Sequence, residues 1–318
     1  MEDQLKISVC ICTCKRVHYL KVLLDHVNKL EVPANVSVKL IVVDNDPAKS
    51  GEPVINDVKE YIKFPLLYDF ESQRGIPFTR NKAVSLVEAD TDFVVFIDDD
   101  EYPDRLWLKE LIKIQKQTNA DLVQGPSIPQ YVQTPPKWVE KGGFHTFDLY
   151  NLNEGDKQPH NMVATNNLLV RYSKLKQLDG PFDEKLGLIG CDDTDLGLNL
   201  HELGCKMIYT NKALVYEFIP VERTTVKWLM QRNYRSANTF WLLCRKKNIF
   251  NFSKLMIGAI ARMLIGIVLL IPTFILSPLV GLQYYYKMMR LIVRGYAVIN
   301  GLFGFYYEEY KVAYTYNK

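Results

Sequence analysis

The sequence contains no Cys-x-x-Cys pair and no His/Cys spacing of the kind that holds a structural zinc, so a metal-stapled mini-domain is excluded. Its six cysteines are few for 318 residues, and Cys10, Cys12 and Cys14 alternate along one apolar stretch while Cys191, Cys205 and Cys244 are scattered. Small buried side chains on one side of a strand are the simplest reading of the first three, which implies reduced thiols and a cytosolic compartment. The opening Met1-Glu2-Asp3-Gln4 lacks the basic and apolar regions of a secretory signal, so export of the catalytic body is not expected. Aromatic and basic residues do not alternate along any groove-like stretch, and nucleic acid is not an expected partner. With 48% hydrophobic residues the chain has ample material for a core, and disorder is excluded.

The charge that is present is unevenly placed. A net charge of +3 hides a split: residues 240 to 318 carry ten Lys or Arg against Glu308 and Glu309, a balance of +8, and residues 1 to 239 carry −5. A near-neutral body with a basic, apolar tail points to an anionic membrane surface.

Residues 94 to 101 read Val-Val-Phe-Ile-Asp-Asp-Asp-Glu, an apolar run that ends in four acidic side chains. A β-branched and aromatic run without polar alternation predicts a strand buried on both faces, as in parallel α/β sheets, where ligands bind at the carboxyl ends of strands. Asp98, Asp99 and Asp100 then sit where a ligand is expected, and hard carboxylate oxygens suit Mg²⁺ or Mn²⁺ bound together with a diphosphate. The competing reading is a solvated acidic turn before a helix. Four adjacent carboxylates repel unless something cationic sits among them, and relief is expected from metal and donor.

Strands and helices alternate around this run. Strands are predicted at Ile7 to Cys12, Val38 to Val43, Leu66 to Tyr68, Phe93 to Ile97 and Asp121 to Gln124, with helical spacing in Leu20, Leu23, Leu24, Val27 and Leu30, and further helices at 54–61, 81–88 and 105–117. That order predicts a doubly wound, mostly parallel sheet. The second strand ends in Asp44-Asn45-Asp46-Pro47, which serves either a base or ribose contact or an Asx turn. Asn161 to Val170 reads as a strand, so only one of Asn166 and Asn167 faces a cleft. Trp138, in a Pro-rich loop, is either a sugar-stacking platform or a loop anchor. A second acidic cluster, Asp192-Asp193-Thr194-Asp195, opens a helix that stops at Gly204, and it either complements the helix dipole or supplies a general base.

Together, the first strand, the Asp44 strand end, Arg80-Asn81, the Asp98 to Asp100 triplet and the Asp192-Asp193 cluster resemble the family 2 glycosyltransferases. The stretches Arg74 to Asn81, Asp98 to Pro103, Gly125-Pro126, Pro136-Lys137-Trp138 and Ala164 to Asn167 resemble the succinoglycan-type exopolysaccharide transferases within that family. The resemblance spans residues 7 to about 235. It implies a GT-A fold and inverting transfer from a nucleotide-sugar donor, usually a UDP-sugar, with Mn²⁺ or Mg²⁺. It places Thr13, Asp44 and Arg80 at the donor, Asp98 and Asp99 on the nucleotide side, Asp98 and Asp100 in a DxD-type motif with Asp100 most directly on the metal, and Asp193 as the catalytic base. Asp192 stands where the family has Glu and shares the catalytic assignment. Trp138, Asn166 and Asn167 are the acceptor-side candidates. Tyr216 replaces a common His before Glu217, which removes a metal contact there, and Cys12 replaces a common Pro.

Met263 to Leu282 is 20 residues without a charge, interrupted by Pro272 and Pro278 and flanked by basic residues on both sides, Arg245 to Lys247, Lys254 and Arg262 before it, Lys287, Arg290 and Arg294 after. Both flanks prefer the cytoplasm, so a hairpin that dips into the inner membrane from its cytoplasmic face, bends at the prolines and returns is expected over a single span, with Tyr296 to Tyr307 at the surface. The expected division is a catalytic domain over 1–240, with a nucleotide-binding half to 103 and an acceptor half from 104, followed by a membrane-associated tail over 241–318. Partners would be the donor, a glycan or lipid-linked oligosaccharide acceptor and the membrane surface. Two other readings compete: a sugar-phosphate nucleotidyltransferase, which would bring a Gly-rich loop after the first strand, and a non-catalytic membrane scaffold.

Overall fold

The computed structural model describes residues 4–146, 151–187, 189–246 and 251–308, so Lys247 of the basic flank and the end of the expected tail lie outside the described residues. The chain forms two compact units, one of Met1–Gln130, Asp148–Gly187 and Asp192–Phe218, the other of Tyr131–Phe147, Leu188–Cys191 and Ile219–Lys318.

The first unit begins with β1 (Leu5–Thr13), α1 (Val17–Val27), β2 (Val36–Asp44), α2 (Glu52–Val58), β3 (Leu66–Phe70), α3 (Ile76–Ser85) and β4 (Phe93–Asp98). There follow β5 (Glu101–Pro103), α4 (Trp107–Thr118), β6 (Leu122–Gln124) and β7 (Ser127–Tyr131). The sheet has seven strands, among them β8 (Leu168–Arg171) and β9 (Met207–Tyr209), in the order β3-β2-β1-β4-β8-β6-β9. All its pairs are parallel except those β8 makes with β4 and β6, which matches the mostly parallel reading. The chain builds outward from β1 to β3 and then crosses back to lay β4 on the other side of β1. A reversal of this kind leaves a crevice at the strand ends. Register lines up its rim: Thr13 pairs with Asp44 and Cys12 with Asp98.

Strand residues alternate between two buried layers, as a sheet covered on both faces requires. Val9, Ile11, Leu40, Val42, Val95 and Ile97 pack against α1, α2 and α4, whereas Cys10, Ile41, Val43, Val94 and Phe96 face α3, α6 (Tyr172–Leu175 in the helix order, after α5 at Lys137–Gly142) and α7 (Asp192–Glu202). Cys10 and Cys12 are buried side chains in this sheet, and all six cysteines are free thiols. Burial pushes the Cys12 thiol up to about 12, which keeps it unreactive. A second sheet, β5-β10-β7 with β10 at Val215–Ile219, closes over the end of β4.

The predicted strand over 161–170 is shorter than expected. Two 3₁₀ turns, His160–Met162 and Thr165–Asn167, precede β8. Side-chain hydrogen bonding favours the turns: the fully buried Asn167 amide donates to the carbonyls of Pro126 (2.8 Å) and Ala213 (2.7 Å) and accepts from Trp107 Nε1 (2.8 Å).

In the second unit, α8 (Val226–Lys246) carries residue 240, the expected domain boundary, within its length. It is followed by α9 (Phe252–Ile275), α10 (Ser277–Val280) and α11 (Leu282–Leu302), with α9 and α11 packed as a hairpin. Their backbones approach closely at Gly266 and Gly295, where an added Cβ would lie 2.9 Å from the Met288 carbonyl and 2.6 Å from that of Ala259. The turn comes after Leu276 and holds Pro278, at the start of α10, whereas Pro272 does not bend the chain back as expected. Helix α9 runs through it, with the Thr273 hydroxyl donating to the Leu269 carbonyl (2.7 Å) in the turn the proline disturbs. Much of α11, including exposed Tyr296, continues as helix, and Asn238 of α8 donates to the Ala297 carbonyl (3.0 Å).

Asn167→Ala would strand two buried carbonyls and an indole N–H, so it is expected to cost about 3 kcal/mol or more in urea unfolding; a loss below about 1 kcal/mol would show that the turn does not depend on it.

Candidate active site

The acidic triplet follows directly from β4. Asp98 is the last residue of the strand, Asp99 and Asp100 turn the chain, and Glu101 opens β5. Each carboxylate has a defined neighbour. The Thr13 hydroxyl donates to Asp99 Oδ2 (2.8 Å), and Arg16 Nη1 lies 2.9 Å from Asp99 Oδ1 and 2.9 Å from Asp100 Oδ2. Arg80, on the buried side of α3, places Nη2 3.3 Å from Asp98 Oδ1 and Nη1 2.6 Å from Asp192 Oδ2. Relief of the repulsion therefore does not wait for metal and donor. Two arginines from the turns and helices beside β1 and β4 already supply it.

Arg80 also joins the two acidic clusters. Burial opposes its charge, yet Asp192 and Asp98 outweigh burial and hold its pKa above the ordinary arginine value. Asp192 is buried and engaged by Arg80, while Asp193 beside it is half-buried and accepts hydrogen bonds from Thr194, through its backbone N–H (2.7 Å) and its hydroxyl (3.4 Å). Burial, and then the Asp192 charge, push Asp193 up to about 6. Asp99 is likewise pushed up to about 6 by burial, partly opposed by Arg16. Asp98 is raised by burial despite Arg80, although 39% of its side-chain surface stays open.

Asp44 adopts the Asx turn of its two readings. Its carboxylate is buried and accepts from the backbone N–H groups of Asp46 and Gly51 (both 2.8 Å) and from the Tyr68 hydroxyl (3.1 Å), so a base or ribose would have to share those oxygens. Asn166 is half-buried and donates to Glu101 Oε1 (3.1 Å), whereas the Asn167 amide is spent within the protein. Trp138 packs in the second unit against Tyr286, with ring centroids 4.0 Å apart, and against Phe144, as a loop anchor does. Tyr216 stacks on Tyr102 at 5.1 Å in the small sheet.

Two features carried too little sequence signal. Arg16 is one of two adjacent cations after β1, and nothing in the order Lys15-Arg16 says which one turns inward. Glu101 is buried, bonded by Ser127 Oγ (2.7 Å) and by the Asp98 backbone N–H (3.1 Å), and burial raises its pKa, with Asp98 and Glu217 adding to the effect. It therefore braces the turn that aims the triplet.

Among the described residues no three His, Cys, Asp or Glu side chains form a closed metal cage. A Mg²⁺- or Mn²⁺-type ion does not need one, since one or two carboxylates plus a diphosphate complete its shell. The hard oxygens of Asp98 and Asp100 fit that role, and a cationic nitrogen already bridges Asp99 and Asp100.

Comparison with known proteins places the chain in a family. The family model for Glycosyl transferase family 2 matches residues 8–177, and that for Glycosyl transferase family group 2 matches residues 93–304. The chain is 29% identical over 245 residues to the Succinoglycan biosynthesis protein ExoM of Rhizobium meliloti (strain 1021), covering 77% of each. Its fold is similar to that of the mannosyltransferase PcManGT from Pyrobaculum calidifontis, solved in complex with GDP-Man and Mn²⁺, with a TM-score of 0.62 at 16% identity over 94% of this chain and 87% of that one. It is also similar to S. aureus TarS 1-349, with a TM-score of 0.55 at 15% identity over 95% and 93%. The TarS fragment has also been solved with UDP-GlcNAc.

Removing the cation between the clusters should be costly. Arg80→Met is expected to lower stability by about 3–5 kcal/mol at neutral pH. The double variant Arg80→Met/Asp192→Asn should recover much of that loss, because no buried carboxylate is then left without its cation; an equal loss with and without the second change in urea unfolding would contradict the ion-pair account.

Proposed function

Because the chain belongs to glycosyl transferase family 2 and is a glycosyltransferase, we propose that it transfers a sugar from a nucleoside diphosphate donor, with inversion and with a divalent ion, to a glycan or lipid-linked oligosaccharide. The observation that carries this reading is the Arg80 bridge, which brings a carboxylate pushed up to about 6 beside the acidic end of β4. The donor is assigned to the strand ends of Thr13, Asp44 and Asp98, with Arg80 and Asp99 behind it. Asp100 and Asp98 would hold Mn²⁺ or Mg²⁺. Such an ion neutralises the charge that develops on the leaving diphosphate.

The residues then have distinct tasks. Asp193 takes the proton of the acceptor hydroxyl as its oxygen bonds to the anomeric carbon. The bond from that carbon to the diphosphate breaks on the opposite side, and its electron pair leaves with the diphosphate. Asp192, tied to Arg80, positions Asp193 and keeps its pKa raised. One base and one displacement invert the anomeric centre without a covalent intermediate. A UDP-sugar donor is supported by the TarS fragment solved with UDP-GlcNAc, and a metal by the mannosyltransferase solved with Mn²⁺. A glycan acceptor is supported by the succinoglycan biosynthesis relative. A nucleotidyltransferase lacks support, since the turn after β1 is Thr13-Cys14-Lys15-Arg16, without glycine.

The α9–α11 hairpin is assigned to the cytoplasmic face of the inner membrane. Helix α9 is long and apolar enough to cross a membrane, and Val268, Ile271 and Ile275, spaced along one face, are each 68% exposed. On the returning helix, Lys287 lies only five residues past Leu282, roughly 8 Å along the axis, which favours entry into one leaflet over a span.

Asp193→Asn is expected to lower kcat by about 10²–10⁴ while nucleotide binding persists. Wild-type kcat/KM should rise with pH through about 6 as Asp193 loses its proton; a variant that keeps wild-type turnover would remove Asp193 from the chemistry. For the anchor, Val268→Glu/Ile271→Glu/Ile275→Glu changes only exposed positions and should move the protein from the membrane pellet to the soluble fraction. Continued sedimentation with membranes would refute the assignment.

A further inference from the structure

We propose that Arg16 is a placeholder for the divalent ion: its guanidinium neutralises Asp99 and Asp100 in the resting protein and passes to the donor diphosphate when ion and donor arrive. The inference rests on the metal-dependent reading above and extends it to a residue that reading leaves without a role.

The geometry is that of a stand-in cation. A single nitrogen, Nη1, lies 2.9 Å from one oxygen of each of two neighbouring carboxylates, while the Thr13 hydroxyl fixes Asp99 from its other oxygen at 2.8 Å. Asp100 and then Asp99 hold the Arg16 pKa above the ordinary value, so the group is a permanent cation. A divalent ion on Asp100 would stand within a few ångströms of that charge, and like charges at such a separation repel strongly in a partly dry cleft. The ion therefore enters only as Arg16 leaves.

Arg16 is also the arginine that can leave. Its side chain is 38% exposed, against 9% for Arg80, so it can swing outward without opening a buried hole, and the buried Asp99 and Asp100 it leaves are then held by the Thr13 hydroxyl and the incoming ion. It stands just before α1, on a short turn in which Lys15 takes the left-handed conformation at φ 58°. A diphosphate offers the guanidinium the paired oxygens it binds best, so the donor compensates Arg16 for the carboxylates it gives up. Metal and nucleotide then help each other bind, and the coupling runs through one side chain. Arg80, buried between Asp98 and Asp192, is the fixed cation and Arg16 the mobile one.

The test is Mn²⁺ titration of the full chain with and without UDP, followed by electron paramagnetic resonance of free Mn²⁺, with thermal melting to check that each variant folds. Arg16→Gln should bind Mn²⁺ alone about tenfold more tightly than wild type, and the factor by which UDP tightens Mn²⁺ should fall correspondingly. Should Arg16→Gln not fold, Arg16→Met carries the test: it keeps the aliphatic stem and removes the cation, so Mn²⁺ alone should again bind more tightly than to wild type. Unchanged Mn²⁺ affinity and unchanged coupling in the folded variant would reduce Arg16 to an ordinary surface ion pair and overturn the inference alone. Failure of every protein to bind Mn²⁺ even with UDP would instead overturn the metal-dependent reading, and this inference with it.

Discussion

A buried guanidinium between two carboxylates organises the active site. Arg80 reaches Asp98 at 3.3 Å and Asp192 at 2.6 Å, and these residues come from a strand end and a helix start far apart in the chain. The planar fork of arginine can serve both at once, which a lysine could not do with the same geometry. The pairing fixes the spacing between the side of the cleft suited to a diphosphate and the side that carries Asp193. It also sets the electrostatics, because the retained charge on Asp192 adds to burial in raising Asp193. A base with a pKa near 6 is ionised at neutral pH yet still basic enough to share a proton in a transition state.

The sheet makes that spacing reproducible. Parallel pairing of β1 with β2 and β4 aligns Thr13, Asp44 and Asp98 along one rim, and the layers of apolar side chains on both faces leave the strands no freedom to slide. The antiparallel strand β8 then brings Asn166 to the buried Glu101, bracing the acidic turn from below. A strand end carries Asp98 and a helix start carries Asp192 and Asp193, and the more accessible turn after β1 carries Arg16. That division suits the proposed chemistry, in which a base is held still while an ion and a nucleotide are admitted.

The elements with strong periodicity were legible in the sequence. The run from Val94 to Glu101 announced both a two-faced strand and a ligand edge, and Leu20, Leu23, Leu24 and Val27 announced the helix beside it. What was not legible depended on partners distant in sequence. The 3₁₀ turn at Asn166 and Asn167 looked like strand because its stabilising bonds go to Trp107, Pro126 and Ala213. Helix α9 continues through Pro272, with the Thr273 hydroxyl bonded back to the Leu269 carbonyl, which no propensity scale registers. The acidic residues of the site could be listed from the sequence, but their pairing could not. Asp44 illustrates the difference, since the same residue types that suit a nucleoside contact also close an Asx turn.

The membrane attachment proposed for the hairpin would give the chemistry a location. Helices α9 and α11 meet through close backbone contact at Gly266 and Gly295 and turn large aliphatic side chains outward, an arrangement suited to a lipid environment. An acceptor confined to the membrane would meet an enzyme confined to the same surface. The central claim remains the single displacement at a sugar carbon, and proton NMR of the anomeric product tests it most directly. With an α-linked nucleoside diphosphate sugar and a glycan acceptor, the new glycosidic linkage should give a β anomeric signal. An α-linked product would contradict a site with one base and one displacement.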